Sequence, residues 1–142
     1  MYSTIDDIKK LLPEGALIQL TDDEDTGAPV IARIDEAVVQ ADAEINAYCA
    51  GRYIVPFATT PDVIKKCSVD IAIYNLYSRH VEEIPETRAD RYKNAIRLLE
   101  AIAKGTISIG AAEELSTNNS DSAVNTKTND DRTFTKESLA GF

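Results

Sequence analysis

The chain has 142 residues, 44% of them apolar, with 15 Lys and Arg against 24 Asp and Glu, a formal charge of −9 and a pI ≈ 4.6. That length holds one domain with a real core and is too short for two full domains and a linker, which excludes a multidomain enzyme. The acidic balance excludes a protein that grips nucleic acid through its phosphates, because such binding needs clustered Lys and Arg, but not one that lies beside DNA without holding it.

The first predicted helix runs from Thr4 to Leu12, with Ser3 as N-cap, Asp6 three residues on, and Ile5, Ile8, Leu11 and Leu12 on one stripe. Pro13 ends it, and a short apolar turn from Glu14 to Leu20 leads into the polar loop TDDEDTGAP. The next helix, Ile31 to Arg52, carries Ile34, Val38, Ala41, Ile45, Tyr48 and Cys49 on one face, and Gly51 and Pro56 are its stop signals. Thr60 as cap and Pro61 as first residue open a third long helix to about residue 82. Its apolar residues surround it almost completely, so it is expected at the centre of the bundle. Pro85 opens the last helix, 86 to 104, with Glu100 and Lys104 as an i, i+4 pair and Gly105 as its C-terminal glycine. Thr106 to Ile109 alternates with period two and reads as a short strand, whose partner strand would come from a neighbouring chain.

The fold class expected is all-α, a small bundle of about four helices with one short strand over residues 1–110. An extended C-terminal arm over 111–142 follows. From Leu115 to Asp131 the arm is too polar to offset its own ordering entropy. It closes on FTKESLAGF, which spends two of the three Phe residues of the chain at Phe134 and Phe142, with Leu139 between them.

Chemistry-bearing patterns are sparse. The loop at Asp22, Glu24, Thr26 and Gly27 follows the opening of an EF-hand register, but Arg33 occupies the position that requires a bidentate Glu. With one histidine, His80, and two cysteines, Cys49 and Cys67, at apolar helical positions, no metal set and no disulfide framework is expected. The six glycines form no phosphate-binding loop, and no nucleophile has an evident base, so neither catalytic residues nor a cofactor are expected. Asp70, inside an apolar helix, is expected to pair with an arginine or to cap a neighbouring backbone. No apolar run approaches the roughly 20 residues of a membrane span, and MYSTIDDIKK lacks the pattern of a signal peptide, so the chain is expected to be soluble and made where it works.

Charge is segregated. Residues 86–104 carry Arg88, Arg91, Lys93, Arg97 and Lys104 against Glu86, Asp90 and Glu100; residues 22–46 carry eight carboxylates, Asp35 and Glu36 among them, against Arg33 alone. Two readings stand open: complementary surfaces of a head-to-tail oligomer through Arg88, Arg91, Arg97, Asp35 and Glu36, or pairing and solvation within one subunit. Ile107 and Ile109 are candidates for pairing with a neighbour's extended arm.

The segments MYSTIDDIKKLLPEGALIQLTDD, AGRYIVPFATTP, RYKNAIRLLEAIAKGTISIG and RTFTKESLAGF make the chain resemble the neck proteins of Mu-type tailed bacteriophages, which complete the head and join it to the tail. The resemblance implies a virion protein, present in the host cytoplasm during assembly, that forms a homo-oligomeric ring, typically a dodecamer, below the portal protein. The ring extends the DNA channel and offers a platform to tail-side neck or terminator proteins, and it implies no enzymatic activity, no cofactor and no membrane. DNA passes without specific binding, with the acidic residues of 22–44 at the lumen or its rim. Arg132, Phe134, Lys136, Leu139 and Phe142 would then engage portal or a neighbouring subunit. The competing reading is a small cytoplasmic helical regulator that binds a partner through its C-terminal arm.

Overall fold

The computed structural model of the protein describes residues 1–80 and 83–113, and the anchor residues Arg132, Phe134, Lys136, Leu139 and Phe142 lie outside them. Five helices follow in order: α1 (Ile5–Lys9), α2 (Glu14–Thr21), α3 (Ile31–Cys49), α4 (Asp62–His80) and α5 (Glu86–Ala103). The short apolar piece after Pro13 is therefore a helix in its own right, and the bundle has three long members and two short ones.

Helix α4 is the centre, packed against each of the other four. Ile64, Cys67, Ile71, Ala72, Ile73 and Leu76 are all within 1% of full burial, as an apolar residue on every side of the helix requires. Against them lie Ile34, Val38, Ala41, Ile45 and Cys49 of α3 and Ala95, Leu99 and Ile102 of α5, the stripes that the 3.6-residue period marks out. Cys49 and Cys67 are free, buried thiols, and burial pushes Cys67 up to about 11.

The N-terminal cap lies one residue later than the sequence suggests. Thr4, not Ser3, is the N-cap of α1, and Asp7 completes a capping box by accepting from the Thr4 amide at 3.1 Å. Ser3 is displaced from the role because its hydroxyl is buried and lies 2.8 Å from that of Ser68 on α4. At α4 the shift is of the same size: Pro61 precedes the helix, and its carbonyl accepts the first helical bond, from Lys65, at 3.0 Å.

The strand expected at Thr106 to Ile109 does not form. Gly105, at φ 79, ends α5 in a Schellman arrangement, with the Gly105 amide donating to the Ile102 carbonyl and the Thr106 amide to that of Ala101. The Ile107 amide also turns back to Ala101, so the donors that a ladder needs are already spent. Pairing occurs further on instead, as an isolated antiparallel bridge between Tyr53 and Glu113, with the Ile54 amide donating to Ala112 at 3.1 Å. The residues just past Gly110 thus remain with the domain, and Ala111 packs on the core.

Candidate interaction surfaces

Among the described residues Asp70 is the most deeply buried carboxylate, with its side chain 1% exposed. It accepts from Arg91 Nε at 2.8 Å and from Lys66 Nζ at 3.2 Å, so the expected arginine partner comes from α5. Arg91 is therefore tied within its own subunit. Arg88 donates to the Leu11 carbonyl at 3.1 Å, which fastens α5 to the end of the first helical segment. Arg97 is exposed and forms no ion pair with any other described residue, as are Asp35 and Glu36 on the outer face of α3. The structure divides the predicted interface set accordingly: two arginines hold the fold, while one arginine and two carboxylates face outward.

The acidic loop is likewise partly spent inside the subunit. Arg79 grips Asp23 through both guanidinium nitrogens, at 2.8 and 2.9 Å, and also donates to the Leu20 carbonyl. Arg33 reaches Glu24 at 2.8 Å and Asp23 at 3.2 Å. Asp22, first in the EF-hand-like register, accepts from the amides of Thr26 and Gly27, and those bonds hold its carboxyl below the usual range. Its oxygens build the turn. Among the described residues no group of three or more His, Cys, Asp or Glu is arranged to hold a metal ion, and no helix is long and apolar enough to cross a membrane.

A second network, unmarked by any sequence motif, locks the N-terminus to the loop after α3. The Tyr2 amide donates to Asp42 at 3.0 Å, Ser68 donates to the same carboxylate at 3.0 Å, and the Tyr2 hydroxyl donates to Asn46. That hydroxyl also accepts from the Phe57 amide at 3.2 Å, and the rings of Tyr2 and Phe57 lie 5.5 Å apart. Only the tertiary fold brings residues 2, 42, 57 and 68 together. The signal in the sequence was limited to an aromatic residue beside the N-terminus.

Phe57 stands in the wall of an apolar groove of about 520 Å³, lined by Ile54, Pro56, Phe57, Ala58 and Pro61 on one side and by Ile109 to Ala112 on the other. The Val55–Pro56 peptide is cis. The groove is built from the segment AGRYIVPFATTP and from residues 109–112, and its rim is fastened by Arg52. That side chain pairs with Glu113 at 2.9 Å, donates to the Ile102 carbonyl at 3.4 Å, and lies 5.3 Å from the Tyr53 ring centre. Ile109 is half-buried at the groove, where its amide donates to the Tyr53 hydroxyl at 3.4 Å; Ile107 is exposed.

Comparison with known proteins gives a consistent result. The family model described as Bacteriophage Mu, Gp36 matches residues 2–127, which takes in the whole bundle and the groove and stops short of RTFTKESLAGF. The chain is 35% identical over 83 residues to the Mu-like prophage FluMu protein gp36 of Haemophilus influenzae, a stretch covering 58% of this chain and 57% of that protein. It is 29% identical over 106 residues to gene product J of Escherichia phage Mu, covering 73% of this chain and 72% of that one.

Proposed function

The chain belongs to the bacteriophage Mu gp36 family, and from that premise we propose that it is a structural head-to-tail connector. In this reading it is a neck adaptor that forms a ring below the portal, extends the DNA channel and offers the tail its platform. The observation that carries the proposal is the family match across residues 2–127 to a Mu-type phage protein, joined to a small helical bundle on which Arg97, Asp35 and Glu36 are exposed and form no ion pair with another described residue. Arg97 on α5 and the pair Asp35 and Glu36 on α3 are groups available for contact between neighbouring copies, and Ile107 and Ile109, beyond the end of α5, are further candidates. Arg132, Phe134, Lys136, Leu139 and Phe142 serve as the anchor on portal or on the next subunit. The function is mechanical and needs no catalytic residue and no cofactor. A net charge of −9 around the channel would let the duplex slide, because like charges do not hold each other.

The direct test is a phage carrying a nonsense mutation in this gene. The expected result, by electron microscopy of the lysate, is DNA-filled heads and separate tails that join when the purified protein is added. Intact tailed particles without the protein would overturn the proposal.

A further inference from the structure

The apolar groove between the 54–61 loop and residues 109–112 has no occupant among the described residues. Its volume of about 520 Å³ falls in the range, roughly 300–1,000 Å³, of sites that bury a ligand. Its lining is mostly apolar side chain and small-residue backbone, with Thr59 as its one polar side chain and Ile54 at 55% exposure on its edge, so it suits an apolar chain segment better than a charged ligand.

The chain itself carries such a segment at a matching distance. The described backbone ends at Glu113, paired to Tyr53 and bonded to Arg52 on the groove's rim. Twenty-nine residues remain, polar up to Asp131 and then closing on FTKESLAGF. Of the three Phe residues, one stands in the groove wall and the other two lie in this closing segment. About 20 residues separate Glu113 from Phe134, and a random coil of that length spans about 25 Å, enough to return to a groove that lies at its own point of departure. A tether of that length supplies an effective concentration of order millimolar, which any free competitor would have to match.

We propose that this groove is the seat of the chain's own C-terminal segment, residues 134–142, with Phe134, Leu139 and Phe142 as the side chains that fill it. In the isolated chain the segment closes on its own subunit. The groove and its occupant do not depend on the neck reading. One consequence rests on it: within a ring the same tether reaches the next copy's groove, so that release from one seat and capture by another would link neighbours.

Amide hydrogen exchange of the full chain tests the pairing, comparing wild type with the triple variant Phe134→Ala, Leu139→Ala, Phe142→Ala. Exchange within α4 serves as the internal check that the bundle stays folded. A segment seated nine-tenths of the time predicts that amides of 57–60 and 109–112 exchange about tenfold faster in the variant, with α4 unchanged. Ala58→Arg, which fills the groove from an exposed position, should produce the same loss with the segment intact. Protection that rises with protein concentration would assign the seated segment to a second copy and overturn closure on the chain's own subunit. Equal exchange at 57–60 and 109–112 in wild type and triple variant overturns it, whatever the phage complementation shows.

Discussion

Asp70 and Asp7 show how single carboxylates are put to structural use in a chain with an excess of them. Asp70 is buried between Arg91 and Lys66, and removing Arg91 leaves a buried carboxylate compensated by Lys66 alone. Because Arg91 itself is 41% exposed, solvent screens part of that cost, and Arg91→Ala should destabilise the fold by about 2 kcal/mol in urea unfolding. The same substitution at Arg97, which touches no described carboxylate, should cost less than about 0.5 kcal/mol. Burial would by itself raise the Asp7 carboxyl, but Lys10 and Lys65, each at 3.0 Å, and the Thr4 hydroxyl and amide outweigh it and hold it far below the usual carboxylate range. The folded state therefore binds a proton at Asp7 less well than the unfolded chain does. The stability from this group is complete above the unfolded value of about 4 and drains away as pH falls further. Asp7→Asn should flatten the fall in stability below about pH 4, measured as urea midpoints across the acid range; an unchanged slope would assign acid sensitivity elsewhere.

At the level of the elements, the helices read well and their junctions read less well. The stripes on α3 and α5 and the apolar surround of α4 follow from the 3.6-residue period, which depends only on neighbours along the chain. The capping residue of α1 lies one position beyond Ser3 because Ser3 and Thr4 are equivalent as local caps, and only the distant Ser68 hydroxyl takes Ser3 out of competition. The lost strand has a similar origin. Alternation at Thr106 to Ile109 is real, but the Schellman closure at Gly105 consumes the amides first, and Ile109 is drawn to Tyr53. Gly105 holds a second constraint, since a Cβ there would meet Arg52 Nη1 at 2.7 Å in a backbone conformation that side chains avoid. Gly105→Ala should cost about 1–2 kcal/mol. It should also loosen the Arg52–Glu113 clasp, visible as faster amide exchange at Ile54 than at residues inside α4.

For the molecule as a whole, charge segregation takes on a narrower meaning. The acidic loop is gripped by Arg33 and Arg79, and Arg88 and Arg91 serve the subunit that carries them, so much of the apparent complementarity is satisfied internally. What remains for a neighbour is Arg97, Asp35 and Glu36. Arg91→Glu would set two carboxylates together at Asp70 and damage the fold, whereas Arg97→Glu leaves the core alone. If copies meet through these charges, Arg97→Glu should lower the oligomer mass seen by light scattering, and adding Asp35→Arg and Glu36→Arg should restore it. An oligomer of unchanged mass in the single variant would remove these charges from the interface.

Length, composition and helical period were enough to determine an acidic all-helical bundle with α4 at its centre, because these properties are summed over the chain or repeat along it. The tertiary structure decided which charges are free, which hydroxyl caps α1, and that two loops 50 residues apart enclose an apolar groove. Each of those depends on contacts between residues distant in sequence, where competition for a single partner, Asp70 for Arg91 or Ser68 for Ser3, settles what local pattern leaves equal.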